Sequence, residues 1–433
     1  MNKRFNVGVL SLLAVLALNG CSGGTKGADA GEQVEKHDPV TVTVGIPNSF
    51  LKVEEFNRYI TEPVKKKYPW ITVQQVTFEK GSSLTELVSA GKTPDIVIHH
   101  NLGGMQEYFD MELTYSLSEL IQKHKMDLSK FEPEALDAIK AAAQRDDLVG
   151  IPYTRHFPAL YYNKDIFDKF GVSYPKDGMT WDQVYELAKK VTRKEDNVQF
   201  RGLEPNVTER PASQLSLPYV DPKTHKALIN TDPWKRVLEF MVKIHQIPGN
   251  QQITFHKDAN SLFVKDRTLA MLTTNNILFD GNLHLNPDLN WDMVSYPTWP
   301  EAPGIGFRND EHLMMITNTS KNKDAAFMVI STVVSDEVQT DLIKQGRLSI
   351  LKDKKIRDAF GANLDFIKGK NMQAIYKTIP AKSFTPTKYD VTGMNAINDA
   401  LKDVVTNGKD VNTALRQAEE KLNQKIEQQE KNK

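Results

Sequence analysis

The order of the first predicted elements of this chain constrains its fold more than any other feature. Residues 40–46 alternate apolar and polar side chains with the two-residue period of a strand, and residues 51–67 place apolar side chains at helical spacing. A second strand at 71–78, a helix at 83–90 and a short apolar run at 94–98 follow. Such a run is typical of a parallel strand that is buried on both faces. The order therefore predicts an α/β fold built on a doubly wound sheet.

Composition narrows the class of protein. The chain has 433 residues, 40% of them hydrophobic, which is long enough for two domains. Lys and Arg number 55 and so do Asp and Glu, so no basic excess points to nucleic acid. Cys21 is the single cysteine of the sequence, which excludes an internal disulfide. A conventional apolar core must therefore stabilise the fold.

The N-terminus carries a targeting pattern. Lys3 and Arg4 precede an apolar run at 7–18 that is too short to cross a bilayer as a folded helix, and Gly20 stands directly before Cys21. This pattern resembles a lipoprotein signal peptide, with Cys21 as the acylated N-terminus. The alternative is a plain secretory signal with an incidental cysteine.

The expected topology follows from that pattern. Residues 1–20 would be removed, and residues 21–37, rich in glycine and charge, would form a flexible tether. No later apolar run reaches spanning length. We therefore expect the lipid alone to hold the body at the cell membrane, on the extracellular face of a Gram-positive bacterium.

Polar side chains follow the buried strand at 94–98. They are His99, His100 and Asn101. In open α/β sheets, ligands bind at the carboxyl ends of strands, so these three residues are candidate ligand contacts. The alternative is an exposed loop with two ordinary histidines.

Several motifs recur in an order that points to one family. The sequence GIPYTRHFPALYYNKDIFDKFGV occupies 150–172, and TWDQVYELA occupies 180–188, where Thr180 and Gln183 have capping-box spacing. This combination closely resembles the family 1 extracellular solute-binding proteins of ABC transporters, of the maltodextrin-binding type. Looser matches to the same family lie at FVKDRTLAM (263–271), SKNKDAAF (320–327), SDEVQ (335–339) and in the C-terminal helix (411–422).

The resemblance implies an architecture and a function. The fold would be a type II periplasmic-binding-protein-like fold of two α/β lobes, each a doubly wound sheet flanked by helices, with a ligand cleft between them. We place lobe one at 38–154 and 298–345, and lobe two at 155–297 and 346–433. A carbohydrate, most simply an oligosaccharide, would bind by hinge closure and pass to the permease of an ABC importer. We expect a monomer.

The resemblance also suggests residues of the binding site. His156 falls where the family commonly places a polar ligand contact, and Arg155 precedes it. With His99 and His100 opposite, these side chains would suit an acidic saccharide such as a uronate oligomer. The alternative is that Arg155 points to solvent and His156 donates to a neutral sugar hydroxyl.

Further candidates come from lobe two and from aromatic residues, because pyranose rings stack on aromatic faces. Trp299 lies in a loop as a candidate wall of the cleft, or it packs on the lobe instead. Tyr389 lies where the family often presents a late stacking aromatic. Asn275 and Asn276 replace a stacking tryptophan of the family, which argues against a maltodextrin. Two weaker candidates are Ser213 and Gln214.

Motifs of catalysis are missing from the sequence. It has no Gly-x-Ser-x-Gly elbow, no His-Glu-x-x-His and no Gly-x-x-x-x-Gly-Lys, and Glu311-His312 lacks a second histidine at zinc spacing. We therefore expect no enzyme activity, no metal and no cofactor. Two alternatives stay open: a receptor for a polyol or a polyamine, and a surface polysaccharide hydrolase.

Overall fold

The computed structural model describes residues 37–47, 50–101 and 104–431, and residues Pro39–Lys433 belong to one compact unit. The proposed signal peptide at 1–20, the lipidation site Cys21 and all but the last residue of the tether at 21–37 lie outside the described residues. Among the described residues, no helix is long and apolar enough to cross a membrane.

The described part of the chain alternates between strands and helices over most of its length. The strands are, in chain order, β1 (Val40–Pro47), β2 (Ile71–Phe78), β3 (Ile96–His100), β4 (Ile151–Arg155), β5 (Ala159–Asn163), β6 (Arg193–Glu195), β7 (Val198–Glu204), β8 (Leu269–Thr274), β9 (Trp291–Val294), β10 (Ile305–Arg308), β11 (Glu311–Ile316) and β12 (Ile379–Ala381).

The α-helices fall between these strands and, at the C-terminus, after them. They are α1 (Val53–Phe56), α2 (Glu62–Lys67), α3 (Leu84–Ser89), α4 (Gly104–Asp110), α5 (Ser118–Lys123), α6 (Pro133–Ala143), α7 (Lys164–Phe170), α8 (Trp181–Val191), α9 (Glu209–Ser213), α10 (Asp232–His245), α11 (His256–Val264), α12 (Lys323–Val333), α13 (Asp336–Lys344), α14 (Lys354–Asp358), α15 (Asp390–Asn407) and α16 (Val411–Lys431). Short 3₁₀ turns lie at Leu128–Lys130, Leu283–Leu285, Asp365–Ile367 and Met372–Tyr376.

The first sheet has the order β2-β1-β3-β11-β4. Its first three strands are parallel, as the alternating and buried patterns of residues 40–98 predicted. Strand β11 comes from much later in the chain and lies antiparallel between β3 and β4. This insertion brings the start of β11 beside the ends of β3 and β4.

One predicted helix of the first sheet's connections is interrupted. Sequence spacing indicated a single helix over 51–67, but a π-turn at Asn57–Thr61 separates α1 from α2. Tyr59 and Ile60, adjacent in sequence, are both buried in this turn. Both side chains belong to the apolar core that packs on the first sheet.

The second sheet has the order β6-β7-β8-β5-β9. Strands β7 and β8 are parallel, and β5 lies antiparallel between β8 and β9. Strands β6 and β7 form a hairpin whose turn residues, Asp196 and Asn197, both have positive φ, as a tight two-residue turn requires. Helix α8 begins with the capping box that Thr180 and Gln183 predicted.

The chain passes between the two sheets more than once. Consecutive strands β4 and β5 belong to different sheets, and β9 and β11 do so again. A two-stranded sheet of β10 and β12 lies outside both. Leu348 bridges back to Arg155 and is buried with the apolar residues of the first sheet. The lobe boundaries at 154/155, 297/298 and 345/346 stay predictions.

Candidate ligand-binding cleft

One cavity, named the main cavity here, lies where strands of both sheets end. It encloses about 440 Å³. His100 at the end of β3 and His156 just after β4 line it on one side, while Val207 after β7 and Asn275 after β8 line it on the other. The carboxyl ends of strands are the usual ligand sites of α/β sheets, so this geometry is that of a binding cleft.

A cluster of rings forms the wall on the side of the first sheet. The imidazole of His312, on β11, stacks on the ring of Phe50 with centroids 4.5 Å apart and planes at 10°. The ring of His156 stands edge-on to His312 at 5.0 Å. His100 lies 5.9 Å from Phe50. All four rings line the main cavity.

Burial keeps several of these histidines uncharged. It lowers the pKa of His100 and, together with nearby His156, lowers the pKa of His312 well below 6.5. Burial and neighbouring His100 lower the pKa of His99 to about 4. The expectation that His99 and His100 add positive charge to the cleft is therefore wrong, because burial disfavours the imidazolium form. At neutral pH they are hydrogen-bonding groups.

Two other candidates on this side are occupied by structural contacts. Asn101 lines the cavity, but its amide accepts from the backbone N–H of Glu311 (2.9 Å) and donates to the carbonyl of Asn309 (3.3 Å). His99 is not among the lining residues, and its Nδ1 accepts from the backbone N–H of His100. Asn101 therefore ties the end of β3 to the start of β11.

Arg155 does not line the main cavity. Its Nη1 donates to Oδ1 of Asn309 at 3.2 Å, and its side chain borders two smaller cavities of about 120 and 20 Å³. His156, the residue after β4, borders the same two smaller cavities and the main cavity as well. Arg155 therefore lies next to His156 but outside the lining of the main cavity.

The short helix α9 supplies the opposite wall. Glu209, Arg210 and Ser213 of this helix all line the main cavity. Arg308 also lines it, and its Nη2 contacts Oε1 of Glu209 at 2.7 Å. Burial opposes the charge of Arg308, but Glu209 outweighs it and raises the pKa of Arg308. Ser213 is buried, donates to the carbonyl of Arg210 and accepts from the backbone N–H of Arg308.

Gln214, the residue after α9, is a structural residue rather than part of the cavity lining. It accepts from Nε1 of Trp181 at 2.7 Å and donates to the carbonyls of Pro297 and Ile305. These hydrogen bonds hold the side-chain amide of Gln214 within the core of the second sheet, so it does not face the main cavity. Trp181 is fully buried there.

The two consecutive asparagines after β8 differ in position. Asn275 lines the main cavity, and its Oδ1 accepts from Nη2 of Arg210 at 3.2 Å. Asn276 borders the 20 Å³ cavity instead, where it donates to the carbonyl of Gly346 and accepts from the N–H of Leu278. Asn275 therefore positions a cleft residue, whereas Asn276 stabilises a loop.

Both aromatic candidates are core residues. Trp299 is 3% exposed, donates from Nε1 to the carbonyl of Pro211 and packs on Trp181 and Phe240. Tyr389 is fully buried, and its hydroxyl contacts Glu430. Neither ring lines the main cavity. The expectation that they form its walls is corrected, because both rings are buried in the second sheet's core.

Other aromatic residues line the main cavity in their place. Phe384 lies five residues before the candidate Tyr389, and the guanidinium of Arg308 stacks on its ring with the carbon 4.5 Å from the ring centroid. Phe50 and Phe307 also line the cavity. No motif of the sequence predicted these three rings, and none predicted Glu209, Arg210, Arg308 or His312 as cavity residues. Only Phe384 lies near a residue, Tyr389, for which the sequence had suggested an aromatic ligand contact.

No group of three or more His, Cys, Asp or Glu side chains in the described ranges could hold a metal ion. Of the candidates from the sequence, the structure brings five together around the main cavity: His100, Asn101, His156, Ser213 and Asn275.

Comparison with known proteins decides the family. Residues 52–340, more than half of the chain, match bacterial extracellular solute-binding proteins. The chain belongs to this family. The family is one of binding proteins, and the resemblance that the motifs at 150–188 indicated is confirmed.

Solved structures confirm the fold of this solute-binding protein. It is similar to the ABC substrate-binding protein Lmo0181 from Listeria monocytogenes in complex with cycloalternan, at 20% identity, a TM-score of 0.70 and coverage of 90% of this chain and 99% of the other. A sugar transporter from Rhizobium etli in an open conformation gives 18% identity, a TM-score of 0.72 and coverage of 89% and 99%. The two-lobed α/β fold is therefore the periplasmic-binding-protein-like fold.

A curated relative matches over a shorter region. The sn-glycerol-3-phosphate-binding periplasmic protein UgpB from Brucella abortus is 37% identical over 78 residues, which is 17% of this chain and 17% of that protein. The matched region thus covers less than a fifth of the length of this relative.

Proposed function

We propose that this protein is an extracellular receptor that captures an oligosaccharide in the main cavity and delivers it to an ABC importer. The observation that carries the proposal is the composition of that cavity. Ring faces of Phe50, Phe307 and Phe384 stand beside hydrogen-bonding groups of both sheets, and pyranose rings need both. Structural neighbours whose names include saccharides, such as mannotriose and cycloalternan, support the ligand class.

The unpaired polar atoms of the cavity favour hydroxyl ligands. Nδ1 of His312 is buried without a hydrogen-bond partner among the described residues. A neutral imidazole nitrogen accepts or donates one hydrogen bond, and a sugar hydroxyl can do either. A volume of about 440 Å³ falls in the range of small-ligand cavities, about 300–1,000 Å³, and suits a short saccharide.

Ligand capture would be coupled to closure. The cavity walls come from both sheets, so a ligand that contacts both binds the closed arrangement better than an open one. The closed form would then be the one that the permease recognises. In this proposal the protein acts as a monomer, and it catalyses no reaction.

The lipid anchor is a separate part of the proposal. It rests on the sequence alone, since Cys21 lies outside the described residues. Mass spectrometry of the protein purified from a Gram-positive host should show a diacylglyceryl mass on Cys21, and Cys21→Ala should release the protein into the medium. An unmodified Cys21 would contradict the anchor and leave the receptor function in place.

A calorimetric titration tests the receptor function. Full-length protein in detergent would be titrated with neutral and uronate-containing oligosaccharides, with spermidine and glycerol as controls for polyamine and polyol binding. His156→Ala should weaken saccharide binding about tenfold without unfolding the protein, since it removes one contact from the cavity wall. His225→Ala, a half-exposed histidine of the second lobe, is the matched control.

A polysaccharide hydrolase is the other candidate, and the same samples address it. Product release from polysaccharide during incubation would overturn the receptor proposal. Binding of spermidine in preference to every saccharide would do so as well.

A further inference from the structure

A side pocket opens beside the main cavity and shares part of its wall. It encloses about 290 Å³, and Arg210, His256 and Asn275 border both spaces. Lys257 and Lys265 add two further cations, against the single carboxylate of Asp280. The side pocket thus carries three cations and one acid, which is a positive balance.

Arg210 differs from the other arginine of the cleft in its partners. Its Nη1 donates to Oγ1 of Thr274 at 2.6 Å and its Nη2 to Oδ1 of Asn275 at 3.2 Å, both neutral acceptors. No described carboxylate forms an ion pair with it, whereas Arg308 is paired with Glu209. Burial without such a pair lowers the pKa of Arg210 below its ordinary value. The guanidinium stays charged. Glu209 and Asp310 lie near enough to favour that charge, but neither forms an ion pair with Arg210.

The acids of the cleft lie on the side of the main cavity. Glu209, Asp310 and Asp390 line that cavity and do not border the side pocket. Glu209 is used by Arg308, and Asp390 accepts from Oγ1 of Thr387 at 2.8 Å. The charge of the combined site is therefore asymmetric. A ligand with acidic groups along its whole length would meet carboxylates in the main cavity.

We propose that the side pocket binds a single anionic group, a carboxylate or a phosphate, at one end of the saccharide whose neutral body fills the main cavity. This inference rests on the proposed function. Arg210 would hold the anion through its remaining N–H donors, and Lys257 and Lys265 would act as point charges. Oδ1 of Asn260, buried at this pocket without a partner among the described residues, would accept from a neighbouring ligand hydroxyl.

The experiment compares ligands that differ only at one end. Full-length protein would be titrated with maltose, maltobionate and maltose 1-phosphate, which carry a hydroxyl, a carboxylate and a phosphate there. Trigalacturonate serves as the evenly charged saccharide. Glycerol 3-phosphate and inorganic phosphate report the anion site without a saccharide body.

The variants remove charge at and away from the pocket. Arg210 also lines the main cavity, so Arg210→Gln should lower the affinity for maltose to some extent, but it should lower the affinity for the singly charged ligands about tenfold to hundredfold more. Arg416→Gln removes the same charge from the exposed helix α16 and should have no effect. Lys257→Gln and Lys265→Gln lie on the surface, so both should fold, and each should reduce anion affinity about threefold.

Each outcome decides the proposal. Tighter binding of maltobionate or of maltose 1-phosphate than of maltose, lost in Arg210→Gln, supports it and identifies the group. Equal binding of maltose and the two anions, or tightest binding of trigalacturonate, overturns it while the receptor function stands. If glycerol 3-phosphate binds, Arg210→Gln abolishes that binding and no saccharide binds, the result supports the anion site and overturns the carbohydrate function. If no anionic ligand binds at millimolar concentration, the proposed anion site is overturned.

Discussion

Glu209 and Arg308 form an ion pair on the wall of the main cavity, with Oε1 and Nη2 2.7 Å apart. The two residues lie about a hundred positions apart in the chain, on α9 and β10. The side chain of Arg308 is 8% exposed, so the pair is largely shielded from water. It therefore joins two segments of the cleft and also neutralises one of its two arginines.

Removing the charge of Glu209 should leave the charge of Arg308 without its ion-pair partner. Glu209→Gln leaves Arg308 as a buried unpaired charge, and we expect the free energy of unfolding to fall by about 3 kcal/mol. The affinity for an anionic saccharide should rise, because the cavity gains net positive charge. Urea denaturation and calorimetry measure the two effects. Glu301→Gln breaks an exposed pair with Arg236 and should cost about 1 kcal/mol or less.

Glu311 should make stability depend on pH. Burial raises the pKa of this carboxyl to about 8 despite the opposing charge of Arg155, and neither carboxyl oxygen has a hydrogen-bond partner among the described residues. In the unfolded chain it ionises near 4.5. Between these values the unfolded state loses a proton that the folded state keeps, so stability falls as pH rises from about 4.5 to 8.

The substitution Glu311→Gln tests this sign. It removes the titration, so the unfolding free energy of the variant should decline less between pH 5 and pH 9 than that of the wild type, by roughly a few kcal/mol. Denaturation curves at both pH values give the comparison. Parallel pH dependence in the two proteins would show that Glu311 is ionised in the folded state.

Trp299 should matter for stability and not for ligand binding. Trp299→Phe deletes the hydrogen bond from Nε1 to the carbonyl of Pro211 and leaves a void beside Trp181, so we expect a loss of about 2 kcal/mol. Saccharide affinity at a temperature where the variant is folded should match the wild type. A weaker saccharide affinity with an unchanged free energy of unfolding would show that Trp299 contacts the ligand.

Phe384 should contribute the stacking surface that the sequence assigned to Tyr389. Phe384→Ala removes a ring of the cavity wall and should weaken saccharide binding about tenfold. Tyr389→Phe keeps the ring in the core and should leave affinity as it is. If instead Tyr389→Phe weakens binding and Phe384→Ala does not, the cavity lining described above is wrong.

Sequence periodicity predicted the elements whose signals are local. Strand β2 and helix α3 fall where alternation and apolar spacing placed them, and α8 begins at the capping box of Thr180. The position of β11 between β3 and β4 had no local signal, because its pairing joins residues some two hundred positions apart.

The binding site was harder to predict for the same reason. Ser213 and Asn275 were found by their place in a family pattern, but whether a side chain faces a cavity depends on the packing of its whole element. Trp299 is an example. An aromatic residue in a loop is a reasonable candidate for a ligand contact, but Trp299 packs in the core of the second sheet. Arg210 carried no signal, since the lack of a carboxylate partner is visible only in three dimensions.

A crystal structure of the protein grown with the saccharide that binds most tightly in calorimetry would show where the ligand lies. We predict electron density for that ligand in the main cavity, in contact with His156 on one wall and with α9 on the other. Density for the saccharide elsewhere on the protein, with the main cavity filled only by solvent, would contradict the account.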